Sequence, residues 1–122
     1  MAGKEILEVL KKSREVELSV KGRVSGRMIP RPVWFVISKD EKSVLFIPVN
    51  GRKTQWYLNV KKEPMVTVRA GNRAFTATMS EMGPDQFDEA LRAFTARYGE
   101  RAMKDYYPNL EVALQVQLPV RS

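Results

Sequence analysis

The sequence predicts an α+β protein, a six-stranded antiparallel split β-barrel with a short central helix and a helical insertion before the last strand. Several short segments alternate apolar and polar residues, turns rich in glycine, proline and asparagine separate them, and the strongest helical pattern comes late in the chain. A length of 122 residues fits one domain of ordinary size. We therefore expect residues 1–122 to form a single domain.

The elements follow one another in an order typical of β-hairpins. Apolar residues spaced among Lys and Glu predict an amphipathic helix within residues 1–14. A second helix is expected over Gln55–Lys62, because Thr54 can cap it and the chain must leave the helical conformation before Pro64. The predicted strands cover residues 16–20, 33–37, 44–47, 65–69, 73–82 and 112–118.

The strongest helix pattern follows Gly83. Pro84 suits the first helical position, Asp85 suits the first turn, and Gly99 ends the helix. A second short helical stretch then runs to Tyr107. The first helix carries an apolar face that consists of Phe87, Leu91, Phe94 and Tyr98, so we expect Tyr98 to belong to the core.

The composition excludes several classes of chemistry. The chain has no Cys and no His, which removes disulfides, thiol nucleophiles, Ser-His-Asp triads and His-based metal sites. We therefore expect no metal. The longest apolar runs are far shorter than the ~20 residues that cross a bilayer, and no leader pattern is visible, so we expect a cytoplasmic protein without membrane contact. A net charge of +7 favours an anionic partner or ligand.

Several short motifs occur in an order typical of one superfamily. They are Gly26, PVWFV at 32–36, GRK at 51–53 and the stretch YLN…EPMVTV between 57 and 68. The sequence resembles the pyridoxamine-phosphate-oxidase-like split β-barrel superfamily over about residues 16 to 118. Its turn GRVSG at 22–26 and WYLNV at 56–60 are most similar to the branch of deazaflavin-dependent nitroreductases.

This resemblance implies a cofactor and an assembly. Members of the superfamily bind FMN or the deazaflavin coenzyme F-420 in a groove of the barrel, commonly completed by a second subunit. The resemblance therefore implies coenzyme F-420 or FMN as cofactor, a homodimer with the cofactor near its interface, and a small-molecule substrate.

The basic loop before the central helix matches the loop that grips phosphate in this superfamily. Arg52 offers a bidentate fork, Lys53 adds a second charge, and Thr54 and Gln55 lie where a helix N-terminus supplies free N–H groups. These four residues are the first candidates for cofactor binding.

A second set of candidates lies in the hairpin around residues 22–32. The deazaflavin branch has basic residues at two positions that Val24 and Ile29 occupy here, so the charges of Arg27 and Arg31 are candidates to replace them. Arg23 belongs to the same hairpin, and a solvated turn is an equally good interpretation of all three arginines.

Aromatic residues supply the candidates for the ring site and for catalysis. Trp34 and the adjacent Phe35 must face opposite sides of a strand, so only one belongs to the core, and Trp34 is the candidate for the ring. Tyr106 and Tyr107 lie where nitroreductases place tyrosines over the substrate, and a phenol can donate a proton to a reduced acceptor. Trp56 and its neighbour in the central helix are expected to pack that helix onto the barrel.

The leading hypothesis is an oxidoreductase in which a bound deazaflavin passes hydride to a small organic acceptor. An FMN-binding oxidase or flavin reductase of the same fold is the first alternative, and a non-catalytic flavin or deazaflavin carrier is the second. Nucleic-acid binding is the least favoured, because the basic residues are spread along the chain and no aromatic-rich binding strand is present.

Overall fold

The computed structural model describes residues 2–119; the expected domain also includes residues 1 and 120–122, which lie outside the described residues. The described chain holds four helices: α1 (Ala2–Lys11), α2 (Gln55–Lys62), α3 (Pro84–Tyr98) and α4 (Glu100–Tyr106). Its eight strands are β1 (Glu15–Lys21), β2 (Met28–Trp34), β3 (Val36–Ile37), β4 (Ser43–Phe46), β5 (Met65–Ala70), β6 (Arg73–Thr78), β7 (Ser80–Glu81) and β8 (Leu114–Gln117). A 3-10 turn over Gly51–Lys53 precedes α2.

The strands form two antiparallel four-stranded sheets. The first has the order β2-β1-β5-β6 and the second the order β3-β4-β8-β7. In the first sheet, Leu18 of β1 lies between Arg31 of β2 and Val68 of β5. The α+β class, the antiparallel pairing, the central helix and the helical insertion before the last strand are thus confirmed.

The expected six-stranded barrel is not what the chain forms. The predicted strand 33–37 is divided at Phe35 between β2 of the first sheet and β3 of the second. The predicted strand 73–82 is divided in the same way at Met79, between β6 and β7. At these two corners the backbone N–H groups form hydrogen bonds outside the sheets. The N–H of Phe35 donates to the Tyr98 hydroxyl, and that of Met79 donates to the carbonyl of Pro64.

Strand β2 also begins earlier than expected, within a segment that its prolines mark as a turn. Pro30 and Pro32 lie in β2, which is an edge strand of the first sheet. Proline is tolerated at an edge when its nitrogen faces away from the neighbouring strand, and two prolines two residues apart face the same side.

The core has two parts. The larger cluster fills the space between the sheets and is covered by α1 and α2, with Leu18, Phe35 and Phe46 completely buried. The smaller cluster packs α3 and α4 on the second sheet around Phe94. Trp56 packs α2 onto the sheets and Tyr98 is buried, which confirms both sequence expectations.

No helix within residues 2–119 is long and apolar enough to cross a membrane. The cytoplasmic location stays a prediction.

Candidate functional site

Two cavities adjoin along strand β2 and together form what we call the β2 groove. Each has a volume of ≈ 310 Å³, and Trp56 lines both. The first, the cationic end, lies between the turn after β1, strand β2 and helix α2; its polar lining is Arg23, Ser25, Arg31, Gln55 and Asn59. The second, the aromatic end, is lined by Glu15, Pro32, Val33, Trp34, Ile47, Val49, Trp56, Tyr106 and Tyr107.

Helix α2 holds Arg23 at the cationic end through neutral groups. Nη1 of Arg23 donates to Oδ1 of Asn59 at 2.8 Å, and Nη2 donates to Oε1 of Gln55 at 3.0 Å. The backbone N–H of Arg23 donates to the same Asn59 oxygen at 3.1 Å, and Nζ of Lys62 donates to the Arg23 carbonyl at 3.3 Å. Both the backbone and the guanidinium of this arginine are therefore fixed.

The charge of Arg23 is left uncompensated by these contacts. Among the described residues, no carboxylate forms an ion pair with it. The two amides occupy two of its five N–H groups, so Nε–H and one N–H on each terminal nitrogen stay available to a ligand. Arg31 lines the same cavity, so two arginines contribute to its wall.

The aromatic end is built around the indole of Trp34. This ring stacks on Tyr98 with a centroid distance of 4.2 Å and an interplanar angle of 8°. Tyr106 meets the indole edge-on at 5.6 Å, and Tyr107 lies at 6.0 Å. Phe35, the neighbour of Trp34, is fully buried in the larger core cluster, whereas Trp34 is half-buried and packs against the smaller one. The two side chains part because the strand ends between them, at the corner between the sheets.

The Tyr98 hydroxyl fixes the stack to the backbone. It lies 2.7 Å from the carbonyl oxygen of Arg14 and 2.8 Å from that of Phe35, and it accepts the N–H of Phe35 at 3.1 Å. Trp34 directly precedes this anchored residue, so the corner between the sheets and the orientation of the indole are linked.

The two candidate catalytic tyrosines differ in their surroundings. Tyr106 is 61% exposed, whereas Tyr107 is buried beneath the aromatic end. Burial, assisted by the nearby Tyr98, raises the pKa of the Tyr107 phenol well above its ordinary value. Tyr107 therefore keeps its proton throughout the neutral range.

Arg52 belongs to a different cluster. Its Nη1 donates to the Tyr57 hydroxyl at 2.7 Å and pairs with Oε1 of Glu81 at 3.2 Å, while that hydroxyl donates to the same Glu81 oxygen at 2.6 Å. Nζ of Lys61 lies 3.9 Å from Glu81. The backbone N–H of Arg52 donates to Glu111 at 2.9 Å.

The pKa shifts in this cluster follow from those contacts. The hydrogen bond from Tyr57 and the pairing with Arg52 lower the pKa of Glu81. Its pairing with Glu81 raises the pKa of Arg52. Desolvation first, and the hydrogen bond to Glu81 second, raise the pKa of Tyr57. Unlike Arg23, Arg52 faces a carboxylate that is ionised at neutral pH.

The turn around Arg52 is closely packed. Gly51 has a φ of +58°, and a side chain there would collide with the Glu111 carboxylate that accepts the Arg52 N–H. The Thr54 hydroxyl accepts the N–H of Asn50 at 2.8 Å, and the N–H of Lys53 donates to the Asn50 carbonyl. Several donors of this loop are therefore engaged within the chain.

The β2 groove brings together five of the nine residues that the sequence marked as site candidates: Arg31, Gln55, Trp34, Tyr106 and Tyr107. Arg52, Lys53 and Thr54 lie in the turn before α2, and Arg27 is an exposed residue of the turn before β2.

Sequence reasoning did not single out Asn59, considered Arg23 only as one of three arginines in the hairpin, and gave Trp56 a packing role. The signal that could have found them is the pairing of the GRVSG and WYLNV motifs, which contain all three residues. Within residues 2–119, no group of three or more His, Cys, Asp or Glu side chains is placed to hold a metal ion.

Comparison with solved structures shows that the fold is shared. The F420-H2 dependent reductase FDR-A is 20% identical over 84% of this chain and 93% of its own, with a TM-score of 0.68. An FAD-binding protein from Mesorhizobium loti is 15% identical over 98% of this chain and 90% of its own, with a TM-score of 0.65. A protein described as a domain-swapped dimer is 18% identical over 93% and 94%, with a TM-score of 0.69.

Comparison with protein families is more specific. No curated protein matches this chain. A family model described as F420H2-dependent quinone reductase matches residues 2–121, which is nearly the whole sequence. This match confirms the superfamily resemblance and the predicted cofactor class, a deazaflavin or flavin. The chain therefore belongs to the F420H2-dependent quinone reductase family, a family of deazaflavin-dependent reductases with the fold that its motifs indicated.

Proposed function

We propose that this protein binds reduced coenzyme F-420 in the β2 groove and reduces a small, flat, quinone-like acceptor. The observation that carries this proposal is that a cationic cavity and an aromatic cavity lie side by side along β2 and share Trp56 in their linings. A ligand with an anionic chain on a planar ring has the same two-part chemistry.

The residues of the cationic end fit a phosphate. Arg23 and Arg31 supply charge, the three remaining N–H groups of Arg23 supply directed donors, and the Gln55 side chain lies at the first turn of α2. We propose that Arg23 is the principal anchor of the cofactor phosphate and that Arg31 and Gln55 assist it.

The other predicted cofactor contacts stay proposals with a smaller expected role. Lys53, Arg27 and Thr54 lie in exposed or half-buried turns from which they could reach the outer part of an anionic tail. Arg52 would have to exchange Glu81 for the ligand, so we expect it to contribute less than Arg23.

The aromatic end fits planar rings. When bound, the reduced deazaflavin supplies the hydride. The chain would hold the acceptor against Trp34, whose orientation Tyr98 fixes, and would exclude water with Trp56 and the adjoining aliphatic residues.

The tyrosines of the aromatic end would handle the proton. Reduction of a quinone to a hydroquinone takes one hydride and one proton. Tyr106 is open to solvent and can donate a proton to the acceptor oxygen and regain one from water. Tyr107 keeps its proton and would donate a hydrogen bond that orients the acceptor.

We further propose that the protein works as a homodimer with the cofactor near the interface. The support is the fold shared with a domain-swapped dimer, together with the position of the groove at the free edge of the first sheet. Sedimentation of the purified protein with and without coenzyme F-420 tests this proposal, and a monomer under both conditions contradicts it.

The experiment that tests the function is a parallel fluorescence titration of cofactor-free protein with coenzyme F-420 and with FMN, followed by turnover assays. We expect tighter binding of coenzyme F-420 and reduction of a soluble quinone that slows several-fold in Trp34→Ala and Tyr106→Phe. Arg92→Ala, on the exposed side of α3, is the control that also removes one positive charge.

The other outcomes select between the alternatives. Preference for FMN would support an FMN-binding oxidase or flavin reductase, which the shared fold of an FAD-binding protein favours. Tight binding without turnover of quinone or nitro acceptors would indicate a carrier. Absence of binding to either cofactor would refute the proposal.

A further inference from the structure

Asn59 is a polar residue in a position that favours an apolar one. It lies on the buried face of α2 next to Trp56 and Val60 and is 5% exposed. Aromatic residues aside, only one other polar side chain within residues 5–119, that of Ser43, is buried to a comparable degree. A buried amide lowers stability unless its polar atoms are hydrogen-bonded, so the contacts of Asn59 explain why this position is not a leucine.

Those contacts converge on one residue. Oδ1 of Asn59 accepts both the backbone N–H and the Nη1–H of Arg23, at 3.1 and 2.8 Å. The first bond fixes the start of the turn after β1, and the second sets the direction of the guanidinium. Gln55, one turn earlier on the same helix, holds the other terminal nitrogen.

We propose that Asn59 is a positioning residue that prepares Arg23 to bind the phosphate of the cofactor. The inference rests on the proposed function. A free arginine side chain samples many rotamers and loses that freedom when it binds an anion, whereas Arg23 is already held in one orientation. An amide does this without adding charge, so the guanidinium keeps its full attraction for the ligand.

The test combines two variants with two ligands. Asn59→Leu keeps the size and burial of the side chain but removes the acceptor, and Arg23→Ala removes the anchor. Each variant, the double variant and the wild type are titrated with coenzyme F-420 and with the deazaflavin chromophore that lacks the phosphate. Arg92→Ala is again the matched control.

We expect Asn59→Leu to weaken coenzyme F-420 by about tenfold and to leave the phosphate-free chromophore unchanged. In the Arg23→Ala background, Asn59→Leu should have no further effect, because residues that act through one contact are not additive. Equal weakening of both ligands, independent effects of the two substitutions, or no effect of Asn59→Leu would each overturn the proposal.

A measurement without cofactor separates this inference from the proposed function. The Nε–Hε signal of Arg23 in the NMR spectrum, assigned by its loss in Arg23→Ala, should show restricted motion in the wild type and greater motion in Asn59→Leu, where only Gln55 still holds the guanidinium. If Asn59→Leu fails to fold, Asn59→Ser serves instead, because the shorter side chain places its oxygen out of reach. An Arg23 signal that is equally mobile in wild type and variant overturns the inference, even if coenzyme F-420 binds.

Discussion

Two arginines flank helix α2, and their partners differ in charge. Arg23 is held by the amides of Gln55 and Asn59, whereas Arg52 is held by the Tyr57 hydroxyl and the Glu81 carboxylate. Both guanidinium groups are ordered by hydrogen bonds within the chain. Only Arg23 retains a positive charge that the described contacts do not offset.

This difference separates two uses of the same side chain. An arginine paired with a carboxylate ties segments together, because the two charges satisfy each other. An arginine held by neutral acceptors is equally ordered but remains attractive to an incoming anion. An arginine side chain can therefore be ordered and still be available to an anion. The charge of its partner decides which of the two roles it has.

The largest expected effect distinguishes the two arginines directly. We expect Arg23→Ala to weaken coenzyme F-420 by about 10- to 100-fold, since a hydrogen bond to a charged group contributes about 1.5–3 kcal/mol. Arg52→Ala should weaken it less than about threefold, because Glu81 already offsets that charge. Fluorescence titration at constant salt measures both, and the reverse order of effects would assign the anchor to Arg52.

The next effect comes from giving Arg23 the kind of partner that Arg52 has. Gln55→Glu places a carboxylate where Oε1 now accepts Nη2–H of Arg23, so affinity for coenzyme F-420 should fall about fivefold. Residue 55 is the first residue of α2, where a negative charge favours the helix, so urea unfolding should show no loss of stability. Unchanged affinity in a fully folded variant would contradict the role of neutral partners.

A smaller effect is expected at the other arginine. Tyr57→Phe removes a buried hydroxyl that donates to Glu81 and accepts from Arg52, and we expect a loss of about 0.5–1.5 kcal/mol of folding free energy. Affinity for coenzyme F-420 should stay the same. Urea denaturation and cofactor titration of the same preparation check the two parts, and a clear loss of affinity would place this cluster in the binding site.

The smallest effect is a pH dependence of stability. The pKa of Glu81 is lower in the folded protein than its ordinary value, so the folded state binds this proton less tightly than the unfolded chain does. Its contribution to stability is present above about pH 4.3 and is lost as the pH falls through the lowered value.

Comparison of wild type with Glu81→Gln isolates this contribution, because the other carboxylates are common to both. We expect a difference in unfolding free energy below about 1 kcal/mol at pH 7, since the side chain is 33% exposed, and convergence of the two proteins in acid. A difference that is the same at all pH values would show that ionisation of Glu81 is irrelevant to it.

Local patterns were sufficient to predict most elements of the fold. Alternation of apolar residues located β1, a continuous apolar run located β4, and Val/Thr/Phe-rich segments around a turn located β5 and the start of β6. Gly83 with Pro84 marked the start of α3. The corners at Phe35 and Met79 were missed because Phe35 lies within an apolar run and Met79 continues an alternating pattern, and neither pattern shows that the chain changes sheets. The anchoring hydroxyl of Tyr98 is 63 residues from Phe35, which is beyond the reach of any local pattern.

The sequence predicted the residue types of the candidate site but not which residues contact each arginine. Residue types indicated arginines for phosphate and aromatic residues for rings, and the groove contains both. The adjacent Arg52 and Lys53 formed the more conspicuous motif, yet Glu81, 29 residues away from Arg52, offsets its charge. Asn59 holds Arg23 across 36 residues. Which arginine has a charge that no carboxylate offsets depends on the tertiary structure.

The prolines of β2 have a consequence for association between molecules. An exposed edge strand is a template on which another chain can add a strand, and this is a common start of aggregation. Pro30 and Pro32 remove two amide donors from the same side of β2, so a strand added there would lack two of its hydrogen bonds. The edge that borders the groove is thus protected from peptide backbone while it stays open to a small ligand.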